Sequence, residues 1–309
     1  MNKKRHKLRL RKQVIMCIPI AIILTITVIG IIINKNNVFK SVVDTKKEIA
    51  TEKIINDNNS KSFSESEFVV SLNKMIEKRQ KDNTIIYYAQ TFKLNIEKTL
   101  EIAYKLTDTY ENEAYKKHNV IATSKWQKKI GSFNSFEAGV IYFVRDLYRY
   151  PERYGATIEE IRISEEPTLK KVSKDGNIYM DNGQTFEQYL GRIADLFGIE
   201  KSVVLAISYQ EAGIKTSNLF RNSNNIGGHR GYSGWMKFTT LEAGVISHVL
   251  SIKSLTDKNN IDLSSPTGIS SLSGIYVNGN MSKPAASWTE KVTIFVNKIN
   301  QKDLFNEKK

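Results

Sequence analysis

The chain has 309 residues, enough for one or two ordinary domains beside a tail or an anchor. Its 46 basic and 32 acidic residues leave a net charge of +14, which points to an anionic partner such as a lipid surface or an acidic polymer. A single cysteine excludes a disulfide framework, and the four histidines (His6, His118, His229 and His248) show no metal-ligand spacing, so no metal or other cofactor is expected.

Residues 1–13, MNKKRHKLRLRKQ, hold seven Lys or Arg and no acid, and read as a cytoplasmic basic tail. Residues 14–33 follow without a charge. A helix of ~20 apolar residues spans a hydrocarbon core of ~30 Å, so this run is expected to be a single transmembrane helix. A cleaved signal peptide is the competing reading, although its apolar region is ordinarily ~7–15 residues long. Cys17 lies inside the run. The rest of the chain is then extracytoplasmic on the cell membrane, without disulfide or thiol chemistry. Residues 34–67, rich in Asn, Lys, Ser and acids, read as a stalk. No basic stretch interleaved with aromatics occurs outside residues 3–12, so no nucleic-acid partner is expected.

From Phe68 onward apolar residues recur at helical intervals, in residues 84–108, 136–150, 185–213, 241–255 and 287–299. Long alternating strand patterns are absent, and a short strand is expected only around Gly176–Met180. The class is mainly α. A constant shift of 105 positions sets Ala89 on Ala194, Phe92 on Phe197, Tyr104 on Tyr209, Asn119 on Asn224, Phe133 on Phe238 and EAGVI (137–141) on EAGVI (242–246). We read a degenerate internal duplication, with residues 68–170 as the first copy and 171–309 as the second. Features present in both copies are candidates for architecture, and features in one copy are candidates for chemistry.

Glu211 has no acidic counterpart, since the shift places it on Leu106. It follows the apolar SVVLAIS and precedes Ala212-Gly213, where a helix is expected to end, and the next 30 residues contain no Asp or Glu. A carboxyl on the end of a buried helix is partly desolvated, which raises its pKa toward that of a general acid. Its rivals read as helix caps. TTLE (239–242), NSFE (134–137) and SWTE (287–290) have capping-box spacing, which gives Glu242, Glu137 and Glu290 structural roles. Asp257 and Asp262 read as solvated loop acids.

YQEAGIKTSNLFRNSNNIGGHRG (209–231), WMKFTTLEAGVISHVL (235–250) and LSGIYVNGNMSKPAASWTEKVTIFVNKI (272–299) together resemble the peptidoglycan glucosaminidases of glycoside hydrolase family 73. The resemblance covers about residues 185–300 and implies a lysozyme-like catalytic domain, here preceded by the degenerate copy and the transmembrane helix. It places the general acid on Glu211 and the active-site tyrosine on Tyr276. Asn225, Gly227 and Gly228 fall on the cleft wall, while Tyr232 and Trp235 either supply aromatic faces for sugars or pack in the small lobe. The departures are Ile214-Lys215-Thr216-Ser217 after the acidic motif, NNIGGHRG (224–231) in the loop, and VNG after Tyr276.

The implied function is cleavage of peptidoglycan glycan strands by an endo-β-N-acetylglucosaminidase. The alternatives are a lytic transglycosylase or muramidase on the same glycan, or a wall-binding scaffold without turnover. The first copy would bind glycan, act as a spacer, or dock a membrane-protein partner.

Overall fold

The computed structural model describes residues 65–231, 234–302, 304 and 305, with side chains from residue 69. The basic tail, the apolar run 14–33 and almost all of the stalk lie outside these residues, as does Tyr232.

Ser71–Lys309 form one unit, built mainly of helix. Among the described residues there are twelve α-helices: α1 Glu65–Thr91, α2 Ile96–Thr107, α3 Glu113–His118, α4 Ser124–Ile130, α5 Phe136–Arg149, α6 Ile158–Ile161, α7 Phe186–Leu196, α8 Lys201–Ala212, α9 Asn218–Ser223, α10 Leu241–Lys258, α11 Gly268–Asn278 and α12 Ala286–Lys302. The described strands, β1 (Arg230–Gly231) and β2 (Gly234–Trp235), pair as an antiparallel hairpin. The strand expected near Gly176 is reduced to an isolated bridge, Tyr179 to Thr185. One apolar core joins residues of both halves, from Ile85 to Ile299.

The 105-residue shift also relates the backbone. α2 and α8 have equivalent bounds, as do α3 and α9. The long apolar patterns at 84–108 and 185–213 are each interrupted by a left-handed residue, Lys93 and its equivalent Gly198, before a second helix starts after Asn95 or Glu200. Both second helices end on a left-handed residue (Asp108, Gly213), and two more positive-φ residues follow, Thr109 and Tyr110 or Ile214 and Lys215. α3 and α9 end on Asn119 and Asn224. Each of these asparagines is left-handed, and each side-chain Nδ2 donates to a phenylalanine carbonyl, Phe133 at 3.1 Å and Phe238 at 3.0 Å. The two anchors close loops of equal length with different contents: α4 in the first half, and the Asn225–Trp235 loop with its hairpin in the second.

The predicted capping boxes are not formed. Ser135 and Thr240, each one residue later than the pattern reads, cap α5 and α10, so Glu137 and Glu242 sit at the second helical position and turn to distant partners. Glu137 accepts from the Tyr88 hydroxyl (2.5 Å) and Arg192 (2.7 Å), while Glu242 accepts from the Asp181 backbone N–H and Lys170 Nζ, both at 3.0 Å. Their structural role stands, with a different cause. α12 begins at Ala286, which puts Ser287 inside the helix and leaves Glu290 exposed. Capping boxes do form at Thr157/Glu160 and Thr185/Gln188.

Candidate functional site

α8 is apolar on every side, with Val203, Val204, Leu205, Ala206 and Ile207 all buried, so it runs through the core between α7 and α12. It reaches the surface at its two ends, at Lys201 and in its last turn. Gly213, at φ +58°, ends the helix there, and Glu211 is left half-buried. Its Oε1 accepts the indole N–H of Trp288 on α12 at 2.8 Å. Burial raises its pKa above 4.5 and the Trp288 bond opposes the rise; no second carboxylate contributes. A carboxyl in this setting takes a proton more readily than one in water.

The loop over Glu211 comes from α9. Asn225 is fully buried, with its Nδ2 donating to the carbonyls of His229 (2.8 Å) and Met236 (3.0 Å) and its Oδ1 accepting the His229 N–H (2.9 Å). Its polar atoms are thus engaged in holding the loop closed, behind the surface that faces Glu211. Gly228 lies against the acid: a Cβ there would stand 3.1 Å from Glu211 Oε2 and 3.9 Å from the Trp235 ring. Gly227 lies over two histidines, and a Cβ there would stand 2.1 Å from His248 Nδ1. Trp235 is 48 % exposed and has the Arg230 guanidinium 4.2 Å from its ring centre. Tyr276, on α11, donates its hydroxyl to the Gly227 carbonyl at 2.6 Å, and its ring lies 5.5 Å from that of Trp288. Burial, with the charge of Glu211 second, pushes its phenol well above the usual range, so it stays protonated. Tyr276 therefore fixes the loop.

No family model, curated protein or solved structure matches the chain. The candidate site rests on its own geometry.

The structure thus brings Glu211, Gly227, Gly228, Trp235 and Tyr276 together and sets Asn225 behind them. A recess of about 530 Å³ lies elsewhere, lined by Gln184, Arg192, Asp195, Lys201 and Phe305 among others. Trp288, which bonds the Glu211 carboxyl, was not among the site residues expected from sequence. Its signal was present, because the final amphipathic helix has no counterpart in the first half: the shift places Trp288 on Gly183, beyond residue 170.

Behind the loop, His248 Nε2–H donates to the Val204 carbonyl at 3.2 Å, which leaves its Nδ1 to accept from His229 Nε2–H at 3.3 Å. Burial lowers both pKa values. For His229 the charges of His248, Arg145 and Arg149 add to the effect, and His248 falls to about 4. A depressed histidine contributes stability that is present above its unfolded pKa and is lost as pH falls toward the folded value. Urea midpoints are therefore expected to fall between about pH 6.5 and 4, by on the order of 3 kcal/mol from His248, and His248→Gln should flatten that slope.

Proposed function

We propose that the chain is a membrane-tethered peptidoglycan hydrolase, an endo-β-N-acetylglucosaminidase whose general acid is Glu211. The observation that carries this reading is the carboxyl of Glu211. It is half-buried at a helix end, held by the Trp288 indole, raised in pKa, and set beside Gly228 of the loop, which also neighbours the exposed ring of Trp235. Protonated, it donates to the bridging glycosidic oxygen as the bond to the sugar carbon breaks. With no second carboxylate acting on Glu211, the attacking group comes from elsewhere. It is either the acetamido oxygen of the substrate itself or a water oriented by Tyr276.

In this reading the second half, residues 171–309, is the lysozyme-like catalytic domain resembling glycoside hydrolase family 73. Residues 68–170 are its degenerate copy, with Leu106 in place of the acid. Residues 14–33 tether both to the cell membrane, which confines cutting to glycan near the membrane.

The test is digestion of purified peptidoglycan by the full chain, with mass spectrometry of the released ends. Reducing N-acetylglucosamine ends support the proposal. Anhydromuramyl ends indicate transglycosylation, in which the muramyl 6-hydroxyl attacks internally. Glycan binding without any release, equal in wild type and Glu211→Gln, indicates a scaffold.

A further inference from the structure

The 30 residues after Glu211 hold no acid but four cations, Lys215, Arg221, Arg230 and Lys237. Lys215 is engaged within the fold, its Nζ lying 2.5 Å from Glu187 Oε1. Arg221, Arg230 and Lys237 are exposed and have no acidic partner among the described residues. Arg230 is the one that the structure sets beside the candidate acid. β1 and β2 pair Arg230 directly with Trp235, so the two side chains share one face of the hairpin. The guanidinium lies 4.2 Å from the ring centre of the indole. Trp235 in turn neighbours Gly228, where a Cβ would stand 3.9 Å from its ring and 3.1 Å from Glu211 Oε2.

A guanidinium resting on an indole is held by the ring while the N–H groups along its planar edge stay free. That of Arg230 makes no hydrogen bond or ion pair among the described residues, and the residue is exposed, so its donors are open to a ligand. The 105-residue shift supplies a control. It places Arg230 on Lys125 and Trp235 on Ile130. The equivalent positions hold no arginine and no aromatic ring, so the shared frame does not require the stacked pair. It belongs to the half that holds Glu211.

We propose that Arg230 is a specificity-determining residue that binds a carboxylate carried by the glycan and so favours cell-wall strands over neutral chains of the same sugars. The inference rests on the reading of Glu211 as the acid that cleaves such a glycan. Two N–H groups on one edge of a guanidinium match the two oxygens of a carboxylate. Peptidoglycan offers that group in two places, on the stem peptide and, once the peptide is removed, on the lactyl ether of muramic acid. A chain of N-acetylglucosamine alone offers the acetamido sugars without it.

The experiment gives the full chain three substrates: intact glycan strands, strands stripped of peptide by an amidase, and neutral chitooligosaccharides. Wild type should cleave at least one carboxylate-bearing strand with a kcat/KM about tenfold above that for the neutral chain, and the ratio should shrink as salt is added. Arg230→Gln should lower that ratio by about tenfold, mainly through KM, and Arg230→Lys should restore part of it. A preference for stripped strands assigns the carboxylate to muramic acid, and a preference for intact strands assigns it to the peptide. A ratio near one in wild type, or a ratio unchanged in Arg230→Gln, overturns the proposal. If wild type cleaves none of the three, the reading of Glu211 fails instead, and calorimetry with the same glycans decides on Arg230. Tighter binding of carboxylate-bearing strands that is lost in Arg230→Gln then supports its role, and equal binding of all three overturns it.

Discussion

Glu211→Gln is expected to reduce the release of glycan fragments by roughly 10²- to 10⁴-fold, the range that general acid catalysis contributes. The amide oxygen can still accept the Trp288 indole N–H, now at 2.8 Å from Oε1, so the helix end and the loop should keep their places. The loss then reports the missing proton rather than a damaged fold, which circular dichroism checks. The pH dependence has a definite sign. In the proposed reaction the acid works protonated, so wild-type activity is expected to fall as pH rises through the raised pKa of Glu211. Between 4.5 and that raised value the folded protein holds the proton more tightly than the unfolded chain, and stability falls as pH rises. Glutamine removes this penalty, so at neutral pH the variant should be as stable as wild type or slightly more so. An unchanged rate in the variant would remove Glu211 from the chemistry.

Gly139→Ala and Gly244→Ala should each destabilise the protein by more than about 3 kcal/mol, beyond what an ordinary glycine-to-alanine change in a helix does. A Cβ at 139 would stand 1.8 Å from the Asn119 carbonyl oxygen, and one at 244 would stand 2.0 Å from that of Asn224. In both cases the obstacle is backbone, held at a helix terminus by an asparagine bridge to a phenylalanine carbonyl, so it cannot swing aside. Urea titration of the two variants measures the effect. The two halves should lose similar amounts, because the same crossing is used in each. A cost below about 1 kcal/mol at either position would mean that its helix can shift.

These two glycines also mark what the sequence revealed and what it did not. EAGVI, present at 137–141 and 242–246, disclosed the repeated helix start, since a glycine that must meet a carbonyl leaves little freedom in its neighbours. The helical class, the end of α8 at Gly213 and the half-buried state of Glu211 followed from apolar periodicity and one turn residue. The caps were misread by one position because Asn134-Ser135 and Thr239-Thr240 each offer two capping side chains, and only the incoming backbone decides between them. α11 was not anticipated: its sequence, GISSLSGIYVN, mixes glycine and serine with few charges, and it is made a helix by packing against α10 and α12. Asn225 was placed on the cleft wall by resemblance; in the structure its side chain is fully buried and bonded to the His229 and Met236 carbonyls, which the sequence did not reveal. Trp288 could be paired with Glu211 only once α12 was known to lie along α8, 77 residues apart in the chain.

The matched asparagine and phenylalanine anchors have a further consequence. Because Asn119 to Phe133 and Asn224 to Phe238 fasten equal lengths of chain in the same way, the two halves share a frame and differ in what it encloses. The enclosed segments are tied to their surroundings: Ile121 and Ile226 are both buried in the core, and Gly227 lies against His248 and under the Tyr276 hydroxyl. A graft of residues 225–237 into the space of 120–132 would therefore need the helices packed against it changed at the same time.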